Sequence, residues 1–147
     1  MTKQLVLAFD YGLKHIGTAV GQALIRSANP ELIVRARDGK PDWSQIEKLV
    51  REWQPDVLVV GLPLNMDGTD SPMSERARKF SRQLKERFRK EVVLIDERLT
   101  SFAAKQARRD LDERLDFGRD TVDAEAACII LHAYYNQLEQ KPEPTTE

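Results

Sequence analysis

Apolar residues along the chain fall into short continuous runs, separated by amphipathic stretches with helical spacing. The runs at 5–9, 57–60 and 92–96 are typical of central strands that are buried on both faces. Residues 16–20, with glycines at 17 and 21, predict a second strand. Residues 31–37, which alternate apolar and polar positions, predict a third, edge strand, and Asp-Gly-Lys-Pro at 38–41 is expected to break it. The pattern therefore predicts five strands.

Amphipathic stretches between and after these strands predict helices. Asp42 is expected to cap the first helix, and Ser71, followed by Pro72, to cap the second. Thr100 is expected to cap a third helix, and Asp123 to open the last one. Strands joined by short turns pair antiparallel, whereas strands connected through helices pair parallel with right-handed crossovers. The chain is therefore expected to fold as an α/β domain, with helices on both faces of one mixed five-stranded sheet.

The length of 147 residues suits one domain, which is expected to span 1–139. The polar stretch 112–120 is expected to form a mobile loop, and the tail 140–147, with its two prolines, to be disordered. A net charge of −1 argues against a generic polyanion binder, so any affinity for nucleic acid must come from local clusters of basic residues.

Cysteine and histidine are scarce, which limits the chemistry that the chain can carry out. The single cysteine, Cys128, excludes an internal disulfide, and its apolar neighbours suggest a buried side chain of the kind that suits a reducing compartment. His15 and His132 lack ligand spacing, so a structural zinc site is not expected. With neither a signal peptide nor an apolar run of membrane-spanning length, the protein is expected to be cytoplasmic.

Three acidic residues stand where strands end or a helix begins. Asp10 closes the first apolar run, Glu97 follows the fifth strand, and Asp123 opens the last helix. Carboxylates at such positions can converge at one end of a sheet, where they repel one another unless a divalent cation lies between them. Carboxylate-bound Mg²⁺ pairs are a recurring device for cutting phosphodiester bonds, so the pattern favours a small metal-dependent nuclease.

Each acid also has a purely structural interpretation, which the residues alone leave open. Asp10 can cap the turn that follows it, and Glu97 can pair with the arginine next to it or with a nearby lysine. Asp123 is favourable in the first turn of a helix because of the helix dipole. Asp120 and Glu125 compete with Asp123 for any catalytic role.

Four ordered motifs carry a resemblance to a known family. They are Asp10-Tyr11-Gly12 with Lys14 and Ile16-Gly17, Gly-Leu-Pro-Leu-Asn-Met-Asp-Gly-Thr at 61–69, Asp-Glu-Arg-Leu-Thr at 96–100, and Val122-Asp123 before an alanine-rich helix. From about Leu5 to Leu138 the chain resembles the YqgF or RuvX family of bacterial ribonuclease H-like proteins. That family was first proposed to resolve Holliday junctions and was later assigned to maturation of the 5′ end of 16S ribosomal RNA.

The resemblance implies a fold, a site and a cofactor. The fold is a ribonuclease H-like sheet with strand order 3-2-1-4-5, in which strand 2 is antiparallel. The site consists of Asp10, Glu97 and Asp123 as metal-binding catalytic acids, with Mg²⁺ as the metal and Mn²⁺ as a substitute. In the expected mechanism, two ions roughly 4 Å apart clamp the scissile phosphate, and Asp10 bridges them. The chain departs from the family at 118–121, where Gly-Arg-Asp-Thr stands in place of one or more lysines.

Basic residues are concentrated between positions 76 and 90, where eight lysines and arginines accompany one acid, Glu86. Four of them are expected to share one helical face, opposite the apolar stripe: Arg78, Arg82, Lys85 and Arg89. Such a run is commonly a solvated surface, but in a nuclease-like chain it is equally consistent with phosphate contact. Lys14, Arg98 and the loop residue Asn65, through the backbone amides of its loop, are further candidates to bind substrate.

The expected function is hydrolysis of phosphodiester bonds in 5′-end maturation of precursor 16S rRNA, with nucleic acid and ribosomal precursors as partners and no membrane. Three alternatives stay open: a Holliday junction resolvase acting on four-way DNA, a non-catalytic nucleic-acid-binding module, and a phosphotransferase. The last is considered because an Asp-x-Gly turn between strands also begins the actin-like kinases. Those enzymes need a second such domain, which 147 residues cannot supply.

Overall fold

The computed structural model describes residues 4–100 and 119–140, and of residues 99, 119–124 and 140 it describes the backbone only. Seven strands are present in this part of the chain: β1 (Leu5–Asp10), β2 (His15–Gln22), β3 (Asn29–Pro30), β4 (Val34–Arg37), β5 (Lys40–Pro41), β6 (Val57–Leu62) and β7 (Glu91–Asp96). Its helices are α1 (Trp43–Trp53), α2 (Pro72–Phe88) and α3 (Arg119–Gln140), with 3₁₀ turns at Ala23–Ile25 and Glu97–Leu99.

The strands form one mixed sheet in the order β5-β4-β2-β1-β6-β7, and β3 pairs with β2 beside this path. β2 is antiparallel to both β1 and β4, whereas β6 is parallel to β1 and to β7. The five principal strands therefore have the predicted order, with the second strand antiparallel. Parallel pairing follows from the helical crossovers, since α1 leads to β6 and α2 leads to β7.

The bounds of the third predicted strand are wrong, because residues 29–37 form two separate strands. Pro30 cannot donate a ladder hydrogen bond, and the Thr18 hydroxyl of β2 donates to the Leu32 carbonyl where a further ladder bond would lie. The predicted break after Arg37 is a hairpin. Asp38 and Gly39 both have positive φ angles, 51° and 79°, which suits a two-residue turn that returns the chain as β5.

Each face of the sheet carries its own hydrophobic core. Leu7, Phe9 and Leu58 point to the side covered by α1 and α2, where Phe80 is among their buried partners. The residues that alternate with them, including Val6, Ala8 and Val59, point to the other side and pack under α3 through Ala127, Ile130 and Leu131. The prediction of helices on both faces is therefore confirmed.

The predicted caps of the first two helices are observed. Asp42 accepts a hydrogen bond from the Ser44 amide at the start of α1. Ser71 caps α2, with Pro72 at the first helical position and the side chain of Ser74 completing a capping box.

The last helix begins earlier than expected. Arg119 and Asp120 were assigned to a loop, yet they are helical, so Asp123 is at least the fifth residue of α3 rather than its first. These polar residues carry no apolar stripe, but a helical backbone does not require one. The helix predicted after Thr100, the remainder of the loop at 112–118, and the tail at 141–147 lie outside the described residues. Within residues 4–100 and 119–140, the structure contains no helix that could span a membrane.

Candidate active site

Asp10 is the last residue of β1 and lies at the carboxyl end of that strand. Because side chains alternate between the two faces of a strand, Asp10 shares its face with Val6 and Ala8, which pack under α3. Asp10 pairs with Gly17 of β2 and is only 8% exposed. Asp10 is therefore a largely buried acidic residue at the carboxyl end of β1, on the face of the sheet that α3 covers.

Gly61 of β6 is the backbone position next to Asp10. The residue before it, Val60, pairs with Phe9 of β1, so Gly61 is level with Asp10 in the sheet. On its other side Gly61 pairs with Ile95 of β7. One glycine thus separates the end of β1 from the end of β7.

The missing side chain of Gly61 makes room for the carboxylate of Glu97. A Cβ atom at Gly61 would lie 3.2 Å from Cδ of Glu97 and 2.6 Å from Cδ1 of Ile130 in α3. Gly61 is level with Asp10 on the neighbouring strand, about 4.8 Å away, so the Glu97 carboxylate lies one strand over from Asp10. The structure brings these two predicted acids together at the carboxyl ends of the strands, on one face of the sheet. We call this place the Gly61 edge.

The direction of α3 carries position 123 toward the same edge. Ile130 lies against Gly61 at the carboxyl end of the strands, whereas the Tyr134 hydroxyl donates to Gln4 Oε1 over 3.2 Å just before β1. The helix therefore runs antiparallel to β1. Asp123 is seven residues before Ile130, which places its backbone on the same helical face and about 10 Å further along the axis. The side chain of Asp123 lies outside the described residues.

Of the two acids that compete with Asp123 for a catalytic role, the structure places one, Glu125. Glu125 is exposed, and it lies about 140° around the helix from Ile130, so it is turned away from the Gly61 edge. For Asp120 the structure describes only the backbone. Among the described side chains, no three histidines, cysteines or acids form a cluster that could hold a metal ion. Two carboxylates of the predicted three are thus located.

The turn that carries Glu97 is held by its neighbours. Asp96 accepts a hydrogen bond from the Arg98 amide at 2.9 Å and forms an ion pair with its guanidinium, with Nη2 and Oδ2 2.7 Å apart. The Arg98 side chain holds the pKa of Asp96 below its usual range. Arg98 also donates to the Met66 carbonyl at 3.2 Å. Asp96 is therefore the acid that Arg98 binds in this turn.

Comparison with known proteins places the chain in a family. The RuvX family model, described as "Holliday junction resolvase", matches residues 4–137. The chain belongs to the RuvX family. Two relatives named "Putative pre-16S rRNA nuclease" are similar over nearly their whole length. The one from Chromohalobacter salexigens is 53% identical and aligns over 90% of each chain, and the one from Shewanella denitrificans is 48% identical over 90% of this chain and 94% of its own.

A solved structure confirms the fold. The chain is similar to RuvC of Thermus thermophilus in complex with a Holliday junction substrate, with a TM-score of 0.57 and 14% identity over 93% of this chain and 96% of that one. The ribonuclease H-like fold expected of a RuvX member is therefore confirmed.

The loop that follows β6 in this RuvX chain uses its own polar groups internally. The Asn65 side chain donates to the Thr69 hydroxyl at 3.0 Å and to the Asp70 carbonyl at 3.1 Å. The backbone amide of Asn65 donates to the Thr69 carbonyl, and that of Gly68 to the Asn65 carbonyl. Gly68 has a φ angle of 88° and lies against the Arg98 guanidinium. The amides of Asn65 and Gly68 are therefore engaged within the loop, and contact of this loop with substrate stays a prediction.

The basic row of α2 is placed differently from its prediction. Arg78, Arg82, Lys85 and Arg89 lie about 100° around the helix from the buried stripe, beside it rather than opposite. Arg78 is bound to Asp70, with Nε and Oδ1 3.0 Å apart. The helix starts near the Gly61 edge and ends before β7, so Arg89 lies at the far, amino end of that strand. Lys14 is exposed in the turn between β1 and β2, at the near edge. Their contact with substrate stays a prediction.

Sequence reasoning missed Gly61, which had been assigned to a loop. The residue belongs to β6, which continues two positions beyond the predicted end. A glycine at the end of a buried apolar strand is itself a signal, because it marks places where another group approaches the backbone closely.

Proposed function

We propose that this chain is a metal-dependent nuclease that hydrolyses phosphodiester bonds during 5′-end maturation of precursor 16S rRNA. The proposal is carried by one observation: the Glu97 carboxylate lies against Gly61, level with Asp10, on the sheet face beneath the helix that bears Asp123. Family membership and the names of the relatives support the same activity and substrate. Nucleic acid within ribosomal precursors is the proposed partner, and the cytoplasm the proposed location.

The donor chemistry of this edge fits a hard divalent cation. Carboxylate oxygens are the ligands that Mg²⁺ and Mn²⁺ accept, and the space left by Gly61 admits the Glu97 carboxylate beside Asp10. Asp10, Glu97 and Asp123 would hold the ions, with Mg²⁺ proposed as the natural one in a two-metal arrangement. Bound there, they would activate a water molecule for attack on the phosphate and stabilise the leaving oxygen.

The chain's own residues position the acids. β1 fixes Asp10 through its pairing with β2 and β6, and burial at 8% exposure limits the freedom of its side chain. The Asp96–Arg98 pair fixes the turn that bears Glu97 and links it to the loop at Met66. A preorganised pair of acids of this kind is what a metal-assisted hydrolysis requires.

A side-by-side cleavage assay tests the proposal. Precursor 16S rRNA and four-way DNA are each incubated with the wild type, Asp10→Asn and Glu97→Gln in Mg²⁺. Glu52→Gln, an exposed acid of α1, is the matched control. We expect the wild type and the control to cut the RNA, and both site variants to lose at least about 100-fold in rate.

The assay also decides between substrates and roles. Cleavage of four-way DNA in preference to the RNA would favour the resolvase activity in the family description. Unchanged RNA cleavage by Asp10→Asn would reject the proposed role of the acid. A wild type that binds but cuts neither substrate would favour a non-catalytic module.

A further inference from the structure

A cavity of about 580 Å³ lies on the opposite face of the same sheet edge. The β4–β5 hairpin and the flank of α2 that bears residues 76, 79 and 83 form its walls. Tyr11, which immediately follows Asp10, lies at its base, and its hydroxyl donates to the Gly39 carbonyl at 2.5 Å. We call this space the Tyr11 pocket. Because Asp10 and Tyr11 are consecutive and alternate in direction, the pocket is one residue away from the candidate active site.

The walls of the Tyr11 pocket are predominantly cationic. Lys40, Arg76 and Lys79 line it, with Asp38 as the single acid. Within residues 4–100 and 119–140, the ion pairs use other cations: Arg26, Arg78, Arg87 and Arg98. The charges of the three lining cations are therefore available to an anionic ligand.

Arg76 is an exposed side chain whose guanidinium contacts the hairpin and Tyr11. One of its terminal nitrogens donates to the Asp38 carbonyl at 3.5 Å, and a hydrogen bond to Tyr11 partly offsets the burial that raises the pKa of that phenol. Gly39 permits this approach, since a Cβ atom there would lie 2.5 Å from the Tyr11 hydroxyl and 2.7 Å from Nη1 of Arg76. A guanidinium anchored in this way keeps further N–H groups for a ligand.

The aromatic residues around the pocket are already engaged. The ring of Tyr11 packs on Phe80 with centroids 5.0 Å apart, and Trp43 packs on Phe80 at 5.8 Å with Arg87 above its ring at 4.0 Å. The pocket therefore presents no open ring on which a base could stack. Its chemistry selects a phosphate group rather than a base.

We propose that the Tyr11 pocket binds a backbone phosphate of the nucleic-acid substrate, next to the phosphate that is cut, through Arg76, Lys79 and Lys40. The proposal rests on the proposed function, because it supplies the grip for the same strand. Phosphate contact of this kind positions a strand without reading its sequence. Arg76 and Lys79 lie on the flank of α2 away from the Arg78–Arg89 row, and Lys40 lies on the hairpin, so the two surfaces can be separated by mutation.

Binding is measured without cleavage, in the Asp10→Asn chain, by anisotropy of a fluorescein-labelled RNA of twelve uridines at several salt concentrations. We expect Arg76→Gln/Lys79→Gln to weaken binding about tenfold and to lower the salt slope by about one to two. Lys40→Gln, on the other wall, is expected to weaken it about threefold. Lys48→Gln/Arg51→Gln, which removes two exposed charges from α1, is the matched control and should leave affinity unchanged.

Three outcomes decide the inference. Equal losses of RNA affinity in the pocket pair and in the control pair would overturn it. An unchanged affinity in the pocket pair, with an unchanged melting temperature, would overturn it too. If binding depends on the pocket residues but the wild-type protein cuts no RNA, the inference stands and the proposed function is rejected.

Discussion

Replacement of Gly61 by alanine tests both the packing and the chemistry of the proposed site. The added Cβ would lie 2.6 Å from Cδ1 of Ile130 and 3.2 Å from Cδ of Glu97. The φ angle of Gly61 is not among the positive ones, so the perturbation is steric rather than a matter of backbone strain. Overpacking of this kind costs about 1–3 kcal/mol, and alanine recovers about 0.5–1 kcal/mol relative to glycine in a strand.

The expected net loss for Gly61→Ala is therefore about 0.5–2 kcal/mol, or about 2–6 °C in melting temperature for a chain of this size. Cleavage is expected to fall much further. The Glu97 carboxylate must move to admit the methyl group, and a misplacement of about 1 Å in a catalytic group can cost about 100-fold. Urea unfolding and cleavage of precursor 16S rRNA measure the two effects separately.

A second substitution separates the two contacts. Ile130→Val deletes the Cδ1 atom that meets the new methyl group, and alone it is expected to cost about 0.5–1.5 kcal/mol. In the Gly61→Ala chain most of that cost should disappear, because a coupling of about 1 kcal/mol offsets it. The substitution should not recover cleavage, since Glu97 stays displaced. Wild-type cleavage by Gly61→Ala, or joint recovery of stability and cleavage in the double variant, would refute this reasoning.

Three further predictions concern stability and reactivity. Arg98→Gln should destabilise the chain most at neutral pH. The lowered pKa of Asp96 contributes stability that is fully present above the ordinary value of 3.8 and is lost as the pH falls through the pKa of the folded state. Urea curves of the two chains should therefore converge on acidification, and a constant gap would contradict this. Burial raises the pKa of Cys128 to about 11, so little of the reactive thiolate is present at pH 8. A thiol reagent should therefore label Cys128 at this pH only in denaturant. Complete labelling of the folded chain within seconds would contradict this. Tyr135→Phe removes a hydroxyl that donates to the Ser27 carbonyl at 2.7 Å, and it should lower the free energy of unfolding by about 1–2 kcal/mol in thermal melts. The control Tyr134→Phe removes a bond of 3.2 Å and should cost less. A larger loss in Tyr134→Phe would show that these two bonds do not determine the order of stability.

The order of the principal strands could be predicted because it depends on local signals. Apolar runs identify the central strands, and the length of each connection decides between antiparallel and parallel pairing. The caps at Asp42 and Ser71 are equally local, since each depends on residues no more than three positions away.

The features that escaped prediction depend on contacts between distant parts of the chain. Gly61 matters because Glu97 and Ile130, which follow it by many residues, both approach its backbone. The Asp38–Gly39 turn was interpreted as a break, although that dipeptide is itself a strong hairpin signal. The Arg78–Asp70 ion pair was missed because Asp70 belongs to the preceding loop and not to the helix. Periodicity along one element carries no information about such partners.

The position of Mn²⁺ in a crystal of the wild-type protein tests the central claim most directly. Anomalous scattering locates the ion independently of the protein atoms. We predict a peak at the carboxyl end of β1, within about 2.0–2.4 Å of carboxylate oxygens from Asp10, Glu97 and Asp123. A peak elsewhere, or an Asp123 carboxylate remote from the Gly61 edge in well-defined density, would contradict the account.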